Sequence, residues 1–165
     1  MESGRVWNPV RATVSAEGLA GSIYGTVTAC AVIAAVSEYK ATIHEIALSA
    51  VGTVLALTIS HGYANWIALR PDGGSHGELR VVIEHQWPIV VAAIIVAAAM
   101  QIPSLLGASY DTSVEIALWF SVLLLFALGF RAAQRSGRDV KTCLLLAMFD
   151  SLIGVAIITL KASVH

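Results

Sequence analysis

Residues 142–160 read TCLLLAMFDSLIGVAIITL, an apolar run with one acidic side chain, Asp150, near its middle. As a helix rising about 1.5 Å per residue, such a run crosses the roughly 30 Å hydrocarbon layer of a bilayer. It does not alternate with period two, which argues against a barrel strand. Four more runs meet the same length requirement, at about 18–37, 46–69, 88–107 and 112–130. Around them, the chain of 165 residues is 57% apolar and 13% charged, with a mean hydropathy of +0.77. Soluble domains carry about 25% charged residues, so a soluble globular protein and a disordered chain are both excluded. A net charge of −1 offers no basic surface for phosphates, so no nucleic-acid partner is expected. Cys30 and Cys143 both lie in apolar runs and form neither a disulfide framework nor a zinc pattern. The expectation is an all-α polytopic transmembrane bundle of five helices. It forms a single integral membrane domain over residues 1–165, with the lipid bilayer as its partner.

Orientation follows from the basic residues. Arg5 and Arg11 precede helix 1, Arg70 and Arg80 lie between helices 2 and 3, and Arg131, Arg135, Arg138 and Lys141 lie between helices 4 and 5. Only Lys40 and Lys161 fall on the other side. Because cytoplasmic loops carry the excess of Lys and Arg, the N-terminus is expected in the cytoplasm and the C-terminus outside. The first apolar run is longer than the h-region of a cleavable signal peptide. Asn8–Pro9 reads as a helix N-cap followed by proline at the first helical position. Pro71–Gly74 is a turn signal. Ser75 with Glu78 matches a capping box, predicting a short interfacial helix that precedes Pro88. Pro103 is expected to bend or end helix 3.

Asp150 is the first candidate for chemistry. A carboxylate at mid-membrane costs about 2.5–3.5 kcal/mol on insertion scales, so it must face protein or water. Cys143, Ala147, Asp150, Ser151 and Gly154 recur at helical spacing on one small, polar face. This face suits either a proton relay or cation site, or an interhelical hydrogen bond that holds the bundle. His61, in Ser60-His61-Gly62-Tyr63-Ala64, could pass protons or ligate a divalent cation, with Asn65 one turn away to orient it. It could equally be hydrogen-bonded near the headgroups, beside interfacial Tyr63 and Trp66. Glu84 and His85, at the entrance to helix 3, share the membrane side of His61. Together they could form a cytoplasmic access site or metal cluster, or a solvated helix entry. His44 and Glu45, with Glu38 and Lys40, read as a solvated cap. Glu115 reaches the outer interface, Lys161 can snorkel to it, and His165 ends the chain.

Gly21 and Gly25 in helix 1, Gly154 in helix 5, and Ser49, Thr53, Ala56 and Ser60 in helix 2 read as small-residue packing surfaces, including a homodimer interface. Phosphate loops, Ser-His-Asp order and His-Glu-x-x-His are missing from the sequence, and no motif fixes a cofactor or a metal.

Four strings belong together: Ile23-Tyr24-Gly25-Thr26, Ser60-His61-Gly62-Tyr63-Ala64, Glu84-His85-Gln86-Trp87-Pro88-Ile89-Val90, and Leu160-Lys161 with His165. By these the chain resembles, over essentially its whole length, a group of small five-helix integral membrane proteins common in actinobacteria. The resemblance implies the fold and a bacterial inner-membrane location, and transfers no activity. The five-helix count also resembles vacuolar iron transporters, in architecture alone. Helix 1 has Glu17 and no Asp where that family carries an acidic motif, and the second-to-third loop has only Asp72, Glu78 and Glu84.

The expected function is a small proton- or cation-linked transporter or channel, with Asp150 as midplane titrating group and His61, Glu84 and His85 at its cytoplasmic access. The alternative is a non-transporting membrane subunit or assembly factor acting through helix–helix contacts, as a homo-oligomer or with another membrane protein. A membrane-embedded metal-dependent enzyme built on His61, Glu84 and His85 ranks last.

Overall fold

In hydrocarbon every backbone N–H and C=O must be paired within the protein, so long apolar segments resolve into helices. The computed structural model describes residues 16–39, 41–68 and 76–163, apart from the side chains of 16, 17, 65, 66, 68 and 76–85. Within them α1 spans Ala16–Val36 and continues as a 3-10 turn, Ser37–Tyr39; α2 spans Ile43–Ala68, α3 His76–Leu105, α4 Tyr110–Arg135 and α5 Val140–Ser163. All five are long and apolar enough to cross a membrane. The cap expected at Asn8–Pro9, the turn at Pro71–Gly74, Ser75 of the capping box, and His165 lie outside the described residues.

α1 is the central staff. It packs on α3, α4, α2 and α5, while α5 packs mainly on α4. One buried cluster, including Ile33, Ile46, Val54, Val96, Met100 and Leu118, joins α1 to α4 in the half of the bundle nearer Tyr110; α5 reaches it only through half-buried Ile157 and Ile158. The buried polar residues Ser22, Thr26, Ser37, Ser113 and Ser121 carry hydroxyls that bond to backbone carbonyls. Ser22 donates to Gly18 O at 2.8 Å, Thr26 to Ser22 O at 2.8 Å, and Ser121 to Ala117 O at 2.7 Å. Such back-bonding removes the penalty of an unpaired donor where no water is present. Cys30 of α1 is fully buried in the same interior.

The interfacial helix predicted before Pro88 is not separate: α3 is one helix from His76 to Leu105 with Pro88 inside it. The reason lies in α1. A Cβ on Gly25 would overlap the Ile89 carbonyl oxygen and lie 2.9 Å from its carbon, and one on Gly21 would lie 3.7 Å from Pro88 Cβ. The two glycines thus form a notch that receives the backbone of α3 beside its proline. Pro103 sits in the last turn of α3, as expected of a helix-ending proline. There Gly107, at φ +90°, donates to Ser104 O, and Ala108 donates to Pro103 O, closing a Schellman cap. α2 opens on a reciprocal capping box: Thr42 N–H donates to Glu45 Oε2 at 2.7 Å, and Glu45 N–H donates to Thr42 Oγ1 at 3.3 Å.

Candidate functional site

Asp150 lies in the middle of α5, half-buried, on the side that also buries Cys143, Ala147 and Gly154. That side meets α4. Gly154 approaches Val122 and Leu125, at 3.0 and 3.2 Å from where its Cβ would stand. About one turn nearer the Val140 end, the carboxylate of Asp150 fills the space that a side chain on Gly129 would need. A Cβ there would overlap Oδ2 and lie 3.0 Å from Cγ. Among the described residues Asp150 has no hydrogen-bond or ion-pair partner. The carboxyl therefore stays available, which is unusual at this depth.

His61 stands elsewhere. It is exposed on α2, and its Nδ1 is 2.9 Å from Leu57 O. A carbonyl only accepts, so Nδ1 is the donor in this hydrogen bond. Its ring makes an edge contact with Tyr24 of α1, centroids 6.3 Å apart at 75°. The orienting group is thus a backbone carbonyl; Asn65, expected to hold this ring, has its side chain outside the described set. The backbone of Glu84 and His85 belongs to α3, and their side chains are likewise outside it. The structure places Asp150 on the α4–α5 seam and His61 on the outer flank of α1 and α2, and does not bring the two together.

No protein-family model matches the chain, and no curated protein or solved structure matches it either.

Two features were not seen in the sequence. A cavity of about 650 Å³ opens where the α1–α2 connection faces the start of α4 and the end of α5. Glu38, Asp111, Glu115 and Lys161 line it, with Tyr110 donating to Ser37 O at 2.9 Å in its wall. Lys161 Nζ is 3.8 Å from Glu38 Oε1. The signal available in the sequence was the pair Asp111 and Glu115, one turn apart at a helix start on the same membrane side as Glu38 and Lys161. The second feature is a pair of buried oxygens, Thr58 Oγ1 on α2 and Gln86 Oε1 on α3, that have no hydrogen-bond partner among the described residues. Gln101 Nε2 is 3.2 Å from His44 Nδ1, which fixes the antiparallel register of these helices and puts Thr58 and Gln86 at nearly the same depth. Among the described residues no three His, Cys, Asp or Glu side chains group as a metal site.

Of the glycines read as packing positions, Gly21 and Gly25 face α3, and Gly154 faces α4, within one chain. The small stripe of α2 is different. Thr53, Ala56 and Ser60 are exposed, and a Cβ on Gly52 would meet nothing within 4 Å.

Proposed function

We propose that this multi-pass membrane protein is a small proton- or cation-linked transporter in which Asp150 is the mid-membrane titrating group. The observation that carries the reading is the unpartnered Asp150 carboxyl set against Gly129, since intramembrane carboxyls without a structural partner mark ion and proton pathways. The acidic cavity supports it. Lys161 at its rim is on the same helix as Asp150, about 16 Å farther along the axis. Between them the seam is closed by Gly154 against Val122 and Leu125, as a gate between mouth and midplane site would be. The basic residues that flank the spans favour a cytoplasmic N-terminus in a bacterial inner membrane, with this cavity facing outward. His61 then belongs to the headgroup region, and Glu84 and His85 remain candidates for inner access. The test is proton and divalent-cation flux in proteoliposomes. Flux present in the wild type and lost in a folded Asp150→Asn variant is expected.

A second reading has its own observation. The exposed stripe Gly52, Ala56 and Ser60 on α2 suits close approach by another helix, as in a non-transporting membrane subunit or a homo-oligomer. Absence of flux in both wild type and variant favours it.

A further inference from the structure

We propose that the cavity between the α1–α2 connection and the ends of α4 and α5 is a binding site for a small organic ammonium ion. The inference rests on the transport reading for its purpose, where it names the substrate class, and on the cavity alone for its chemistry.

Size comes first. A void of about 650 Å³ is in the range of small-molecule pockets, roughly 300–1,000 Å³, and far exceeds a bare metal ion. A metal needs several oxygens converging at about 2.0–2.6 Å, and the carboxylates here are not grouped in that way. They are spread around a space, which fits a cation whose charge sits on a carbon skeleton.

Charge comes second. Glu38, Asp111 and Glu115 stand against Lys161, and Lys161 is engaged by Glu38. Asp111 and Glu115 are like charges one turn apart on α4, an arrangement that weakens a helix unless a cation lies between them. Neither has an ion-pair partner among the described residues.

The third argument is the character of the wall. Half-buried Ala41 gives the cavity a small apolar surface beside the carboxylates, with buried Val114 behind it, and Tyr110, held by its hydrogen bond to Ser37 O, adds an aromatic ring. Carboxylate, aromatic ring and aliphatic patch together are the set that recognises an alkylammonium, through charge, cation–π attraction and burial of its methylenes. A dissolved amine and the ethanolamine headgroup of a phospholipid both present this chemistry.

The experiment uses the full chain in phosphatidylglycerol nanodiscs, titrated calorimetrically with n-butylammonium, with n-butanol as neutral control and empty nanodiscs subtracted. Saturable binding of n-butylammonium is expected, with none for n-butanol, and roughly tenfold weaker binding in Asp111→Asn/Glu115→Gln. Both carboxylates are exposed, so the variant should fold. If circular dichroism shows that it does not, Glu115→Gln alone is read and must still weaken binding. Absence of saturable binding, equal binding of n-butanol, or unchanged binding in the variant overturns the proposal. Repeating the titration in phosphatidylethanolamine separates the sources: competition assigns the site to the headgroup, and unchanged affinity to a dissolved amine. Flux measured on the wild type separates the two readings. Binding in a wild type without flux sinks transport and keeps the site, whereas flux without binding sinks the site alone.

Discussion

The contact between Asp150 and Gly129 turns one missing side chain into a packing requirement. The carboxylate lies where a Cβ would be, so Gly129→Ala forces Asp150 into another rotamer or parts the two helices. Overpacking of this kind typically costs about 1–3 kcal/mol. Gly129→Ala is therefore expected to lower Tm moderately and, on the transport reading, to shift the pH dependence of proton flux. Flux profiles of Gly129→Ala and Gly129→Ser beside wild type check this, and an unchanged profile in a folded variant counts against Asp150 as the titrating group. Asp150 was legible in the sequence because nothing apolar explains an acid in such a run. Gly129 was not, because its meaning depends on the register of α5 against α4. The cavity escaped for a related reason: Glu38, Asp111, Glu115 and Lys161 come from three elements, and each alone reads as an interfacial charge.

Among the elements, α5 depends on its first turn. Asp139 precedes the helix, and its carbonyl accepts the Cys143 N–H at 3.0 Å. Its carboxylate accepts the Thr142 hydroxyl, and that hydrogen bond, aided by backbone N–H groups of the turn, holds the Asp139 carboxyl below its ordinary value of 3.8. A carboxyl depressed in the folded state adds stability that is complete above its unfolded pKa and is lost as pH falls through the folded one. Anchoring of the first turn of α5 should therefore weaken below about pH 4, the ordinary aspartate range. Asp139→Asn should be insensitive over the same window. Thermal unfolding of both proteins from pH 6 to 2.5 would show it, and parallel curves would refute it. Elsewhere the elements show what periodicity can and cannot give. Span positions were legible, because hydrocarbon thickness sets a length that composition alone must meet. The run of α3 through Pro88 was not. A proline reads locally as a helix boundary, and the notch that accepts it is formed by Gly21 and Gly25, far away in the chain.

At the scale of the whole molecule, the proposed orientation rests on the arrangement of charges. Lys161 lies at the cavity end of the bundle, while Arg131, Arg135, Arg138 and Lys141 lie at the other. A fusion of alkaline phosphatase to the C-terminus should be active and one of a cytoplasmic fluorescent protein dark in a bacterial inner membrane. The reverse pattern would place the cavity inside and overturn the outward-facing mouth. The basis of that proposed orientation is separate from the packing of the helices, so topology and fold can be tested independently.

The position of α1 also bears on how the molecule is made. Of the five helices it leaves the ribosome first, and it is the one against which all the others later settle. Its hydroxyls at Ser22, Thr26 and Ser37 are closed on its own carbonyls, so it can wait alone in lipid with few polar groups left wanting. Asp150 enters last, when α4 with its gap at Gly129 is already in the bilayer to receive it. The order of synthesis thus matches the order of need: the self-sufficient segment inserts early, and the costly one arrives where its berth already exists.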